Sequence, residues 1–323
     1  MAGKVAVTDY TFDNLDIEQS LLERLGCHVA GQKSGKDPQE LMALVRDADY
    51  VITQFAPVNA AVIAAMQKCK VIVRYGIGVD NVDLAAAAAK NVPVCNVPDY
   101  CIDEVADHTL AMILDLTRKI TANANLVKAG GWGLAVPLSA LFALKYMTVG
   151  VVAFGRIGRE VAHRLKAFKC RVLVCDPVVD DATIRANGFM PVTRDELLRQ
   201  SDLVTLHCPS NEQTRQMINA ASIATMKPGA LLVNASRGTL VKTDDLVAAL
   251  QSGRLSAAAL DVTDPEPLPA DHPLRAMDNV VINSHIASAS PQAVQNLRRQ
   301  AAETVALAVR GQKLSNIVNG VNA

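Results

Sequence analysis

Residues 149–158, VGVVAFGRIG, are the stretch of sequence that decides the fold. An apolar run leads into glycines at 155 and 158, and residues 159–166 continue with helical spacing. A strand, a glycine-rich turn and a helix in this order present backbone N–H groups at the positive end of the helix, which suits a pyrophosphate. Ala153 replaces the first glycine of the usual G-x-G-x-x-G pattern. The stretch therefore predicts a dinucleotide site with one departure from the pattern.

An acidic residue follows the next predicted strand. This strand, residues 171–175, ends before Asp176, which lies 18 positions after Gly158. A carboxylate at this point can accept hydrogen bonds from ribose hydroxyls. It would also repel the 2′-phosphate of NADP, and residues 177–179, PVV, offer no Arg to receive that phosphate. The sequence therefore predicts NAD as the cofactor rather than NADP.

The same alternation of short apolar runs and longer helical segments extends along the chain. We predict strands at 49–53, 71–74, 148–152, 171–175, 203–207, 231–234 and 280–283. Helices are predicted at 102–118 and 291–310, with further helix starts at 37–38 and 243–245. This α/β pattern is typical of parallel sheets covered by helices.

Length and composition limit the class of protein. The 323 residues correspond to about two domains. Lys and Arg (32) balance Asp and Glu (32), so neither nucleic acid nor an anionic membrane is a predicted partner. The N-terminus lacks an apolar signal core, and seven cysteines form no Cys-x-x-Cys pair. We expect a cytoplasmic protein with reduced thiols and no metal site.

The domain boundaries are predicted from breaks in this pattern. A first α/β series ends at 96–98, NVP, and a glycine-rich break at 130–133, GGWG, precedes the next strand. We predict one domain from residues 1–100 plus 287–323, and a second from residues 101–286.

Three polar residues follow predicted strands, where an open parallel sheet presents its ligand crevice. They are Arg237, Glu266 and His285. Any one of these residues alone would not indicate a catalytic site. Their order, together with the nucleotide turn and residues 73–83 (VRYGIGVDNVD), resembles the D-isomer-specific 2-hydroxyacid dehydrogenase family. Residues 105–109 (VADHT), 206–209 (LHCP) and 226–230 (MKPGA) extend the resemblance, which covers about 71–309.

The resemblance implies a Rossmann-type NAD-binding domain, residues 101–286, inserted into a flavodoxin-like substrate-binding domain. It implies Arg237 as the clamp for the substrate carboxylate, Glu266 as the acidic partner and His285 as the acid/base. The other implied contacts are, for the cofactor, Gly155, Arg156, Ile157, Gly158, Asp176, Cys208, Thr214, Ala235, Ser236 and Asp261, and, for the substrate, Arg74, Tyr75, Gly76 and Ile77. It also implies a homodimer, with residues 102–118 and the segment around Trp132 as candidate contacts.

The chemistry of a 2-keto acid reductase suits these roles. Hydride transfer leaves negative charge on the carbonyl oxygen, so an imidazolium at His285 is needed to deliver a proton. A carboxylate at Glu266 favours the charged ring and orients it. Arg237 offers a planar fork of donors that matches a carboxylate, and the backbone of residues 75–78 can supply N–H groups.

Formate oxidation and a binding role are the two alternatives to this prediction, and the sequence departs from the family pattern at one further place. The related formate dehydrogenases resemble the Ala-x-Gly form of the turn but lack the Glu-Pro pair kept here at 266–267, so formate is disfavoured. Corepressor scaffolds that sense NAD(H) share the fold and the catalytic residues, so a binding role is the second hypothesis. The usual Thr-Pro before the active histidine is Asn283-Ser284 here.

Overall fold

The computed structural model describes residues 3–322, and these form two compact units. The first unit takes the chain up to Tyr100 and again from Ser290 onward, and the second takes residues 101–289. In chain order the second unit is therefore an insertion between two segments of the first.

The first unit begins with five strands that alternate with helices. Its elements are β1 (Gly3–Val7), α1 (Asp16–Leu22), β2 (Cys27–Gly31), α2 (Pro38–Val45), β3 (Tyr50–Thr53), α3 (Ala60–Ala65), β4 (Val71–Arg74), α4 (Leu84–Ala89) and β5 (Val94–Cys95). The strands pair in parallel in the order β2-β1-β3-β4-β5. This is the flavodoxin-like order, with a topological switch point between β1 and β3.

The second unit contains a seven-stranded parallel sheet. Its elements are α5 (Ile102–Arg118), α6 (Ile120–Lys128), β6 (Thr148–Val152), α7 (Arg156–Ala167), β7 (Arg171–Cys175), α8 (Asp181–Ala186), β8 (Met190–Pro191), α9 (Arg194–Gln200), β9 (Leu203–Leu206), α10 (Ala220–Thr225), β10 (Ala230–Asn234), α11 (Thr243–Gln251), β11 (Leu255–Leu260) and β12 (Val280–Ile282). The strand order is β12-β11-β10-β9-β6-β7-β8. This is the doubly wound dinucleotide-binding order with one further strand, and its switch point lies between β6 and β9.

The long closing helix, α12 (Pro291–Val309), returns to the first unit. Its Leu297, Ala301 and Val305 are buried in one cluster with Val71 and Val73 of β4. Short 3₁₀ helices complete the described elements, at Glu23–Leu25, Leu138–Ala140, Leu144–Tyr146, Gly238–Leu240 and Pro273–Ala276.

Alternate residues of the long sheet face two separate cores. Val149 and Val151 pack in one cluster with α5 and α7, whereas Val152 and Leu206 pack in the other with α9 and α11. Burial on both faces explains why these strands are continuous apolar runs. The predicted fold class, a Rossmann-type unit inserted into a flavodoxin-like unit, is confirmed. Among residues 3–322, no helix combines the length and apolar character needed to cross a membrane.

Candidate active site

The nucleotide turn, residues 153–158, joins β6 to α7 at the carboxyl end of the sheet. Ala153 takes a left-handed conformation (φ 75°) and donates its N–H to Cys175 O at 2.8 Å. A Cβ atom on Gly158 would lie 2.1 Å from Ala153 O, so only glycine fits there. Gly155 faces open space, and no side chain caps the start of α7. The turn therefore fits the pyrophosphate of a dinucleotide, although an alanine in this conformation costs about 1–2 kcal/mol.

The two helical residues of the turn, Arg156 and Ile157, occupy different surroundings. Arg156 is exposed at the first position of α7, whereas Ile157 packs against the core cluster that contains Val149. Of these two side chains, that of Arg156 is therefore open to solvent, whereas that of Ile157 belongs to the core.

Asp176 connects the nucleotide turn to the loop after β7. One carboxylate oxygen accepts the N–H of Phe154 at 2.6 Å. The other accepts the N–H groups of Val178 and Val179 at 2.7 and 2.9 Å. These bonds fix the orientation of the carboxylate beside the turn, where sequence reasoning expected an acceptor for ribose hydroxyls.

The cofactor contacts predicted after β9 and β10 are tied to one another. The Ser236 hydroxyl donates to Cys208 O at 2.6 Å, and the Thr214 hydroxyl donates to Pro209 O at 2.7 Å. Burial raises the pKa of the Cys208 thiol to about 11, so this side chain stays protonated and packs as an apolar group. Ala235 lies directly after β10, beside Ser236.

His207, at the end of β9, lies against the nucleotide turn. Its N–H donates to Val152 O at 2.9 Å, and its Nε2 is 2.9 Å from Thr205 Oγ1. A Cβ atom on Gly158 would be 3.4 Å from His207 Cβ. Burial lowers the pKa of His207 to about 3, so the ring is neutral at physiological pH.

Glu266 and His285 form a close pair. Glu266 Oε1 and His285 Nδ1 are 2.6 Å apart, and the two side chains are 42% and 37% exposed. This contact occupies Nδ1. Within the described part of the chain, no hydrogen-bond partner of His285 Nε2 is found, so this nitrogen is available to an oxygen of a ligand.

Opposing effects set the pKa of Glu266. Partial burial of the carboxyl raises it, but the hydrogen bond with His285 and the charge of its ring lower it more. The charge of Arg237 acts in the same direction. The pKa of Glu266 therefore lies below its ordinary value, and the carboxylate is ionised at neutral pH.

Arg237 follows β10, and its Nη1 donates to Ser236 O at 2.7 Å.

Asp261, at the end of β11, holds the loop that carries His285. Its backbone oxygen accepts the N–H of His285 at 2.8 Å. Its fully buried carboxylate accepts the N–H groups of Ile286 and Ala287, both at 2.9 Å. His285 has a left-handed backbone (φ 58°), which these three bonds stabilise. Asp261 thus positions the His285 loop in this structure, and its carboxylate is already engaged by backbone donors.

A second histidine lies behind this loop. His108 Nε2 is 2.9 Å from Asn283 Nδ2 and 3.6 Å from Asp261 Oδ1. Asn283 also donates its N–H to Leu260 O at 2.8 Å. The polar residue at 283 therefore connects the His285 loop to α5.

A cavity of about 720 Å³ in the second unit opens beside the Glu266–His285 pair. Its wall combines these two groups and Arg275 with apolar side chains, namely Leu268, Leu274, Val280, Ile282 and Ile286. A cleft that combines apolar side chains with convergent polar groups can hold a small molecule.

In the first unit, the predicted substrate contacts lie on the turn after β4. Tyr75 is buried, and its hydroxyl donates to Glu18 at 2.8 Å, so its side chain is structural. The N–H of Tyr75 donates to Thr53 O and that of Gly76 to Arg74 O. Among residues 3–322, the N–H groups of Ile77 and Gly78 make no hydrogen bond. The donors that this turn offers to a ligand are therefore those of Ile77 and Gly78.

Comparison with known proteins identifies the family. Residues 110–287 match the family model described as "D-isomer specific 2-hydroxyacid dehydrogenase, NAD binding domain". A glyoxylate reductase from Thermofilum pendens is 36% identical over 289 residues, which cover 87% of this chain and 84% of the relative. The chain belongs to the D-isomer-specific 2-hydroxyacid dehydrogenase family. Residues 110–287 are its NAD-binding domain.

Two other members of the family are similar over most of this chain. A D-3-phosphoglycerate dehydrogenase from Archaeoglobus fulgidus is 36% identical over 288 residues, or 89% of this chain. The chain spans about half of that relative, 54% of its length. A crystal structure of D-lactate dehydrogenase from Aquifex aeolicus with NAD and lactic acid superposes with a TM-score of 0.85 at 28% identity, and covers 95% of this chain and 96% of the other.

The contacts of several residues that build the site could not be predicted from the sequence. The contacts of His207, His108 and Asn283 come from packing, and only the departure at 283–284 gave a signal for one of them. In the first unit, Asp9 holds the backbone of residues 54 and 55, and no motif indicates that contact.

Proposed function

We propose that this protein is an NAD-dependent oxidoreductase that interconverts a D-2-hydroxy acid and its 2-keto acid by hydride transfer. The observation that carries the proposal is the 2.6 Å contact between Glu266 Oε1 and His285 Nδ1, which leaves Nε2 to a ligand. The family membership and the names of the relatives, reductases and dehydrogenases of small hydroxy acids, support the same chemistry.

In the direction of reduction, His285 acts as the acid. Its Nε2 delivers a proton to the carbonyl oxygen as negative charge develops there. Glu266 keeps the ring oriented through its contact with Nδ1. Arg237 binds the substrate carboxylate with its fork of donors. We propose that, on the turn predicted to contact the substrate, Arg74 and the N–H groups of Ile77 and Gly78 make the contact, because the N–H groups of Tyr75 and Gly76 are already bonded. In oxidation the neutral His285 accepts the hydroxyl proton.

The second unit holds the cofactor. The open space at Gly155, the uncapped start of α7 and the tight approach at Gly158 fit a pyrophosphate, and Asp176 lies where a ribose would bind. We propose NAD contacts at residues 155–158, Asp176, Cys208, Thr214, Ala235 and Ser236. For Asp261, whose buried carboxylate already binds the N–H groups of Ile286 and Ala287, we propose instead that it positions the His285 loop. The bound nicotinamide supplies or accepts the hydride. Units one and two then serve as the substrate-binding and NAD-binding domains.

We also propose a homodimer formed through residues 120–146. Trp132 is 92% exposed, and Leu138 and Tyr146 are exposed as well. By contrast, the apolar face of α5 is buried within its own unit, so α5 offers mainly charged residues to a partner. Free cysteines throughout residues 3–322 support the further proposal of a reducing, cytoplasmic location.

The test is turnover of NADH with glyoxylate, pyruvate, 2-oxobutyrate, hydroxypyruvate and phosphohydroxypyruvate. We expect turnover of at least one, and a loss of roughly 10²- to 10⁴-fold in kcat for His285→Ala in both directions. His28→Ala, at an exposed histidine on β2, is the matched control. NADH binding without turnover of any keto acid would favour the corepressor-like role. Near-normal turnover by His285→Ala would remove the proposed acid/base.

A further inference from the structure

We propose, resting on the function above, that the preferred substrate is a 2-keto acid with an uncharged, apolar side chain, and that Phe55 contacts this side chain and determines specificity. Phe55 lies two residues beyond the end of β3 in the first unit, at the carboxyl end of its sheet. The juxtaposition that leads to the proposal is an exposed aromatic ring beside Arg74, on a backbone that is held in place.

The backbone of Phe55 is fixed from below by Asp9. The buried Asp9 carboxylate accepts the N–H of Phe55 at 2.7 Å and the N–H of Gln54 at 3.0 Å. The Thr8 hydroxyl adds a third bond at 2.9 Å. The ring nevertheless remains 58% exposed. A ring that is mostly exposed gains little free energy from burial. Packing alone therefore does not account for an aromatic residue on this fixed backbone.

Arg74 lies on one side of this ring. Its Cζ is 5.8 Å from the centroid of the Phe55 ring. A Cβ atom on residue 76 would lie 1.6 Å from Arg74 Nη1, so Gly76, at φ 143°, makes room for the guanidinium. The N–H groups of Ile77 and Gly78 follow directly on the same turn. A carboxylate bound by these groups would place the rest of a small keto acid within reach of the Phe55 ring.

The charges on the neighbouring loops disfavour a phosphorylated side chain. Residues 8–14 (TDYTFDN), 54–59 (QFAPVN) and 75–83 (YGIGVDNVD) contain no Lys or Arg but four Asp. The nearby Lys33 ammonium already binds the carbonyl oxygens of Phe12 and Asp13 and lies over the Tyr10 ring. A phosphate would carry a charge of about −1.5 to −2 at neutral pH, and dedicated cations normally bind such a group. Apart from Arg74, which the proposal assigns to the shared carboxylate, these loops offer an apolar ring instead of cations.

The experiment compares kcat/KM for 2-oxobutyrate, glyoxylate and phosphohydroxypyruvate with NADH in the full chain. Glyoxylate has no side chain, so its ratio to 2-oxobutyrate isolates the side-chain contact from binding of the shared carboxylate. In wild type we expect 2-oxobutyrate to exceed phosphohydroxypyruvate at least about 10-fold. In Phe55→Ala the 2-oxobutyrate-to-glyoxylate ratio should fall about 10-fold, the order of magnitude of a lost apolar contact. Phe55→Leu should retain most of the ratio.

Phe168→Ala is the matched control, because this exposed aromatic residue follows α7 at the end opposite the nucleotide turn. It should leave the ratio at the wild-type value. An unchanged ratio in Phe55→Ala, or a wild-type enzyme that reduces phosphohydroxypyruvate as efficiently as 2-oxobutyrate, would overturn the inference while the proposed function stands. A protein that reduces none of the keto acids would overturn both.

Discussion

His207 makes the stability of the second unit depend on pH in a direction that can be calculated. Its ring contacts Thr205 Oγ1, and burial lowers its pKa from 6.5 to about 3. Below pH 6.5 the unfolded chain binds a proton that the folded state does not bind. The contribution of the neutral His207 ring to the free energy of unfolding is therefore fully present above pH 6.5 and is lost as the pH falls. Replacing His207 with Gln keeps a hydrogen-bonding group for Thr205 and removes the titration.

The magnitude follows from the two pKa values. Protonation of the unfolded state favours unfolding by a factor of about 33 at pH 5 and about 1.3 at pH 7, which amounts to about 2 kcal/mol between the two. For a unit of this size, 2 kcal/mol corresponds to a midpoint shift of about 4–8 °C.

The assay is thermal unfolding of the protein without cofactor at pH 7 and pH 5, followed by circular dichroism. From pH 7 to pH 5, the midpoint of wild type should fall about 4–8 °C further than that of His207→Gln. His28→Gln, which changes an exposed histidine, should behave as wild type does. If His207→Gln and wild type lose the same number of degrees, the imidazole is not held in its neutral form by burial, and the argument fails.

Three further changes test the cofactor and substrate contacts. Asp176→Ser should raise the ratio of kcat/KM for NADPH to that for NADH about 10-fold, because a carboxylate no longer faces the 2′-phosphate. A wild-type protein that uses both cofactors equally would contradict this prediction. Arg237→Ala should raise KM for 2-keto acids and lower kcat without changing NADH affinity by fluorescence titration, and Arg237→Lys should recover only part, because an ammonium lacks the bidentate fork. Glu266→Gln should lower kcat for reduction without changing NADH affinity, because the imidazole loses the carboxylate at 2.6 Å that orients it; a kcat equal to that of wild type would separate Glu266 from His285.

Local pattern was sufficient to predict most of the second unit. The runs at 148–152 and 171–175 are strands with those bounds, and α5 spans 102–118 as its apolar spacing indicates. These segments are buried on a regular face, so their sequence carries the periodicity of their structure. The bounds of β11, the strand before Glu266, were not predicted, because LSAAAL lacks β-branched residues. Its Ala257 and Ala259 share a core cluster with Ala106 and Leu110 of α5, so packing rather than propensity sets the composition there.

Residue roles were harder to predict than elements. Tyr75 lies on the motif that resembles the family, yet its side chain points into a network with Glu18 and Arg298, residues 280 positions apart in the sequence. The Arg298 guanidinium makes two bonds to the Glu18 carboxylate, at 2.9 and 2.7 Å. No local pattern reports such a contact, because it depends on how α1 and α12 pack. The turn after β4 therefore offers its backbone, whereas its aromatic side chain is structural.

The loop around His285 shows why a departure from the family pattern can leave the chemistry in place. The two residues before His285 are Asn and Ser instead of Thr and Pro. This difference changes the contacts between the loop and α5, because the Asn283 amide contacts His108 on that helix. The front of the loop is fixed separately, by three backbone bonds to Asp261 and by Glu266 at Nδ1. Because Asp261 is buried and both its oxygens are engaged, the position of His285 depends on β11 more than on its own neighbours. Variation at residues 283–284 is therefore compatible with an unchanged position of His285 Nε2.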